Sequence, residues 1–256
     1  MLQDITAPLT LFPQGSPKAG DYVFQCKGSA VALSPWTRGA SVAHPLVKVG
    51  ETTLFLGAAA DAEWGNTQML RRIESPDLRF AAFCANHLAQ WYLNHRWCGR
   101  CGAMLTRLSG ALKCSSCGQE SYPVIAPAVI VGLVNQGRLL VTRYADRPYQ
   151  GPALVAGYCE VGETAEATCI REAFEETGLH VTRLHYFASQ PWGLSGSLLL
   201  GFFAETSDEE ITLADGELAE AVWLKPEELP PPPDAAGPLS LTATMIKAFA
   251  EQSVHF

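Results

Sequence analysis

Apolar positions along the chain change rhythm several times, and each change marks an element. In roughly the first 70 residues the rhythm is that of strands: HPLVKVGETTLFLG sets two β-prone runs, Pro45 to Val49 and Thr52 to Leu56, on either side of Gly50 and Glu51, as a hairpin requires. The period then lengthens. Phe80, Phe83, Cys84, His87, Leu88 and Trp91 recur three and four residues apart, which predicts a helix with one buried stripe. Ser75, Pro76 and Asp77 supply its start, and His87 and Cys84 are read as packing residues on that stripe. From Ala128 the pattern returns to strands: AVIVGLV, a turn at Asn135, Gln136 and Gly137, then RLLVTRY, near-continuous apolar runs of the kind found where both faces of a sheet are covered. Further strands are expected at 153–156, 184–189, 198–205 and 221–224. Pro230 to Pro233 reads as an extended loop, and a closing helix is expected from about Leu239 to Gln252. Strands interleaved with helices on both faces predict an α/β sandwich.

Composition narrows the class. The 256 residues are 48% hydrophobic and 17% charged, enough apolar mass for one large or two modest domains. The amino-terminal stretch MLQDITAPLTLFPQGS has an acid at Asp4 and no basic leader, and no apolar run approaches the roughly 20 residues that span a bilayer. A cytoplasmic protein with no membrane partner is expected. A net charge of −8 argues against broad affinity for nucleic acid, although from Leu78 to Gln119 there is no acid while Arg79, Arg96, Arg100, Arg107 and Lys113 are cationic. A solvated face is the plainer explanation of that run, with a polyanion contact as the alternative.

Cys98-x-x-Cys101 and Cys114-x-x-Cys117, each trailed by glycine, form two tight turns separated by twelve residues. Four thiolates so spaced suit tetrahedral Zn²⁺, and a site with four cysteines leaves no position for water, so the ion would be structural. Reduced thiols or disulfides are the alternative.

The densest chemistry lies in GYCEVGETAEATCIREAFEETGL, residues 157–179, where six glutamates accompany a single arginine. Thr164 can cap a helix running to about Thr177, with Gly178 as a left-handed terminator. On it Ile170, Ala173 and Phe174 point one way, and Glu172, Glu175 and Glu176 form another face. Clustered carboxylates repel unless cations sit among them, and hard oxygen ligands suit Mg²⁺ or Mn²⁺.

At these residues the sequence resembles the Nudix hydrolase family, whose signature Gly-x5-Glu-x7-Arg-Glu-U-x-Glu-Glu-x-Gly-U is matched at every fixed position, with Ala173 small where the bulky aliphatic U usually stands. The resemblance implies a Nudix α/β/α sandwich with a mixed sheet, preceded by a four-cysteine zinc ribbon and a strand-rich N-terminal domain. It implies that Glu172, Glu175 and Glu176 bind two or more Mg²⁺ or Mn²⁺ ions, that Arg171 orients the carboxylates, that Gly157 opens the loop, and that Glu163 supports the loop–helix junction. Ser189-Gln190-Pro191-Trp192, together with the cysteine segment, looks like the NADH pyrophosphatase branch. The implied division is 1–95 for an N-terminal domain, 96–121 for the ribbon and 122–256 for the catalytic domain. That branch continues with Pro-Phe-Pro, where this chain has Gly193, Leu194 and Ser195, and the lost prolines predict a looser loop. By the same resemblance Tyr122 and Tyr158 stand where aromatics grip bases, with core packing as the alternative. Glu220 stands as a further metal ligand or base, and Ser240-Leu241-Thr242 in place of a Ser-Ile-Ala puts Thr242 at the substrate. The implied reaction is hydrolysis of the pyrophosphate of NAD or NADH to nicotinamide mononucleotide and AMP, by a homodimer. Rivals are another nucleoside diphosphate such as ADP-ribose or a dinucleotide, NAD-capped RNA, and a nucleotide sensor that does not cleave.

Overall fold

The computed structural model describes residues 1–146, 149–213, 216–231 and 239–254, so Pro232 and Pro233 of the proline run lie outside the described residues. The chain divides into two compact units: one holds Leu2–Ile125 and Trp192–Gly196, and the other holds Met1, Ala126–Pro191 and the described residues from Ser197 on.

In the N-terminal unit six strands, β1 (Leu9–Leu11), β2 (Tyr22–Lys27), β3 (Ala30–Pro35), β4 (Ser41–Val49), β5 (Thr52–Ala58) and β6 (Gly65–Asn66), form a sheet of order β1-β4-β5-β2-β3-β6. The β4–β5 hairpin turns where the sequence predicts, with Gly50 at a positive φ of 54°. Helix α1 (Pro76–Asn94) starts at the Ser75 cap, whose hydroxyl accepts from Leu78 N, and buries Phe80, Phe83, Leu88 and Trp91 against the sheet. His87 is half-buried on this helix, with Nε2 2.7 Å from the Val124 carbonyl oxygen, and Cys84 packs against the core. The His87 ring nitrogen finds a polar partner, as a histidine at the margin of a core must. The cysteine segment is a small sheet of β7 (Leu105–Leu108), β8 (Ala111–Cys114) and β9 (Glu120–Ser121).

The second unit is an α/β sandwich around a mixed sheet. Strands β10 (Ala126–Asn135), β11 (Arg138–Tyr144), β12 (Val155–Tyr158), β13 (Arg183–Trp192), β14 (Ser197–Glu205) and β15 (Leu218–Leu224) are arranged β13-β14-β10-β11-β15, with β12 also on β10. The β10–β14 pair is parallel, whereas β10–β11, β10–β12 and β11–β15 are antiparallel. The two-residue period of a strand explains the layers. Val129, Val131 and Leu133 of β10 meet Cys169 and Ala173 of α2 (Ala165–Thr177) on one face; Ile130 and Val134 meet Leu241, Met245, Ile246 and Phe249 of α3 (Leu241–Ala250) on the other. No helix among the described residues is long and apolar enough to cross a membrane.

Candidate functional site

Helix α2 is placed by its ends. Thr164 Oγ1 accepts from Ala167 N at 3.1 Å, and Gly178 closes the helix at φ 72°, both as the sequence predicts. The division of its faces is different from the expectation. Cys169, Ala173, Glu176 and Thr177 are buried, whereas Ile170 and Phe174 are exposed, Phe174 resting on the His180 ring at 5.0 Å. Ala173 is fully buried in the core between helix and sheet, and Glu176, one turn of the helix further on, is only 3% exposed.

Arg171 organises the carboxylates. Its Nε and Nη2 donate to Glu163 Oε1 and Oε2 at 2.7 and 3.0 Å, its Nη1 donates to Glu172 Oε1 at 2.7 Å and Glu175 Oε2 at 2.9 Å, and Nη2 also reaches the Tyr158 carbonyl oxygen at 3.0 Å. Such forked, charge-assisted bonds fix direction as well as distance. Glu163 also accepts from Glu160 N and the Thr168 hydroxyl, and these bonds, with the guanidinium foremost, pull its pKa down to about 2. The same contacts hold Arg171 firmly protonated. Glu172 moves the other way: burial raises its pKa, and the charges of Glu175 and Glu217 add to the rise against the opposing pull of Arg171. Gly157, on β12, faces this carboxylate so closely that a Cβ there would occupy the same space as the Glu172 side chain.

Glu217 is a second acid, beside Glu220, whose charge bears on Glu172. Two acids precede or enter β15, and only geometry separates them. Glu220 sits opposite Arg143 in the β11–β15 ladder and pairs with it at 3.2 Å, whereas Glu217 lies where its charge acts on Glu172.

Other candidates fall in different settings. Tyr158 is 54% exposed, with its hydroxyl 3.3 Å from Ser197 Oγ, and Tyr122, in the N-terminal unit, is 59% exposed and donates to Glu120 Oε2 at 2.7 Å. Neither is a core residue. Ser189 and Thr242 are half-buried. Gln190 is fully buried, its Nε2 donating to Leu239 O at 3.0 Å and its Oε1 accepting from Leu241 N at 2.7 Å, so both ends of its amide tie β13 to the start of α3. Trp192 packs edge-on to Phe83 at 5.3 Å and lies under Arg71.

The loop that follows is not loose. Gly193 accepts from Asn86 Nδ2 at 2.8 Å and passes so close to the Phe83 carbonyl that a Cβ would overlap it, while Leu194 joins the N-terminal core. Backbone contact here replaces the stiffness that prolines would give.

The four cysteine sulfurs of the small sheet lie within 4.8 Å of one another, with Cys98–Cys117 at 3.6 Å and Cys101–Cys114 at 3.5 Å. Zn–S bonds of about 2.3 Å in a tetrahedron place sulfurs roughly 3.8 Å apart, so the quartet has the size of a zinc site. Knuckle amides point at the sulfurs, those of Arg100 and Cys101 lowering the pKa of Cys98 and that of Cys117 lowering Cys114 to about 7. Glu172, Glu175 and Glu176 do not converge so tightly, because Arg171 holds the first two and burial holds the third. They nevertheless fit hard divalent cations: oxygen donors, two of them largely buried, under the repulsion that lifts Glu172.

A family profile described as NUDIX domain matches residues 124–245. Two proteins named NAD-capped RNA hydrolase NudC, from Salmonella heidelberg and Salmonella typhi, are each 36% identical over 168 residues, covering 64% of this chain and 65% of theirs. A crystal structure of a NUDIX hydrolase from Nitrosomonas europaea superposes with a TM-score of 0.48 at 17% identity, covering 62% of this chain and 92% of that one. The match thus spans just under two thirds of the curated relatives' length.

Proposed function

We propose that the chain, whose residues 124–245 match the NUDIX domain profile, is a Nudix hydrolase that cleaves the pyrophosphate of NAD or NADH to nicotinamide mononucleotide and AMP. The observation that carries the reading is the Arg171 network, which aims Glu172 and Glu175 from one edge of α2 beside Gly157 and Tyr158. The relatives' name, NAD-capped RNA hydrolase, supports an NAD moiety as the group recognised.

Two or more Mg²⁺ or Mn²⁺ ions, when bound, would lower the pKa of a water and neutralise charge on the leaving phosphate. Glu172, Glu175 and Glu176 would hold them, with Glu220 or Glu217 as a further carboxylate, and one of these glutamates would accept the water's proton. Arg171 positions Glu172 and Glu175 and is itself positioned by Glu163. Tyr158 offers an exposed ring on which a base can stack, a contact worth about 1–3 kcal/mol, and Tyr122 offers a second. Ser189 and Thr242 remain candidates for substrate contact; Gln190 and Trp192, engaged within their own units, are assigned to positioning. Zn²⁺ on Cys98, Cys101, Cys114 and Cys117 is structural. We retain the division 1–95, 96–121 and 122–256, a cytoplasmic homodimer, and NAD-capped RNA as an alternative substrate on the strength of the relatives' name.

The test is substitution. Glu175→Gln or Glu176→Gln should lower kcat on NADH by about 10²-fold or more with the melting temperature little changed. Near-normal turnover in both would sink the assignment, and binding of NADH without turnover in the unsubstituted protein would favour a sensor.

A further inference from the structure

Thr168 lies near the start of α2, inside the run of residues that the Nudix signature leaves open between Glu163 and Arg171. It is fully buried. General chemistry argues against a threonine there: it costs helix stability relative to alanine, and a buried hydroxyl is unfavourable unless it is hydrogen-bonded. Two acceptors lie within reach of that hydroxyl, the Thr164 carbonyl oxygen at 3.1 Å and Glu163 Oε2 at 2.8 Å. A hydroxyl has a single proton to give. The carboxylate oxygen is both the nearer acceptor and the charged one, so the proton goes there.

That bond completes a cage around Glu163. Its Oε2 accepts from Thr168 Oγ1, from Glu160 N at 3.0 Å and from Arg171 Nη2 at 3.0 Å, while Oε1 accepts from Arg171 Nε at 2.7 Å. Thr168 and Glu160 thus hold the carboxylate from one side, and the planar fork of Arg171 must match it from the other. The Glu163 and Arg171 side chains are only 19% and 22% exposed, so water competes weakly for these bonds. From its free end, Arg171 Nη1 then donates to Glu172 and Glu175. We propose that Thr168 is a positioning residue for the divalent-metal site: its hydroxyl fixes Glu163, Glu163 fixes the guanidinium, and the guanidinium holds Glu172 and Glu175 in the arrangement that takes the ions. The proposal rests on the reading of those glutamates as metal ligands and adds to it a residue that the signature does not specify. Without the hydroxyl, Oε2 keeps two of its three donors and the carboxylate plane can turn, taking the fork with it. Metal binding must then order the ligands first, which weakens it.

Titration of the full-length protein with Mn²⁺, following the free ion by electron paramagnetic resonance, tests the proposal without relying on turnover; Glu175→Gln identifies the binding that belongs to the glutamates. Thr168→Val keeps the shape and removes the donor, and should weaken that binding about fivefold or more. Thr168→Ser restores the hydroxyl and should bring the affinity back to within about twofold of the unsubstituted protein. Because Thr168 acts through Glu163, adding Thr168→Val to Glu163→Gln should weaken Mn²⁺ binding no further. In NADH hydrolysis the Mg²⁺ concentration for half-maximal rate should rise in Thr168→Val while kcat at saturating Mg²⁺ is largely kept. Melting temperatures separate positioning from folding: a Thr168→Val protein that melts lower yet binds Mn²⁺ as tightly as the unsubstituted one would overturn the proposal and leave the reaction untouched. Failure of Thr168→Ser to restore the affinity, or full additivity with Glu163→Gln, would overturn it as well. Absence of glutamate-dependent Mn²⁺ binding in the unsubstituted protein would overturn both the metal reading and the role of Thr168.

Discussion

Glu217 and Glu220 stand three residues apart, and their difference shows what a single position can decide. A late acid before a strand is a sequence-level pattern that both satisfy. The strand's pairing separates them, because Glu220 is drawn to Arg143 across the ladder and Glu217, just ahead of β15, stays within electrostatic reach of Glu172. Glu217→Gln is therefore expected to cut kcat by about 10²-fold or more, and Glu220→Gln to cost a few-fold at most, in steady-state assays on NADH. The reverse order would restore Glu220 to the site. The spacing does anticipate the local contacts of Gly157, Glu163, Arg171, Glu172 and Glu175, which meet around the Arg171 guanidinium. The burial of Glu176 is not anticipated, since a helical wheel gives faces and says nothing about which of two adjacent acidic positions the sheet covers.

At the scale of elements, helix ends were the most readable feature, because caps are local chemistry: Ser75, Thr164 and Gly178 bond or bend as their types demand. Strand β12 was placed two residues early, its apolar run ending before its hydrogen-bonded ladder does. The three short strands among the cysteines gave no periodic signal. Thr164→Ala should cost about 1 kcal/mol in denaturant unfolding. The loop–helix junction also makes a pH prediction. Glu163 titrates near 2 in the folded protein, below the ordinary carboxylate value of about 4.3, so its contribution is complete above that value and is lost as pH falls toward 2. The melting-temperature gap between the native chain and Glu163→Gln should shrink over that interval. Glu172, with its pKa raised, has the opposite sign: its proton is held more tightly in the folded state, and its burden grows as pH rises through its folded pKa. Added Mg²⁺ should accordingly raise the melting temperature more at neutral pH than in acid, and an equal effect at both would contradict this account of Glu172.

Over the whole molecule, length allows one large or two modest domains, and the two compact units of the structure group Trp192–Gly196 with the N-terminal one, which no sequence feature signals. Glycine at 193 looked like a loss of stiffness in the sequence, and in the fold it is the residue that allows a backbone to lie against the Phe83 carbonyl. The cysteine quartet belongs to this scale as well, since its four sulfurs gather within 4.8 Å of one another beside a sheet of only three short strands. Chelation, or Cys114→Ser, should expose protease-sensitive sites in the ribbon and lower the melting temperature; intact stability without zinc would show that the sulfurs hold no metal. The central claim is the reaction itself, and chromatography of the products formed from NADH with Mg²⁺ or Mn²⁺ tests it most directly. AMP and reduced nicotinamide mononucleotide in equal amounts are the predicted result, and NADH left intact while another nucleoside diphosphate is cleaved would contradict it.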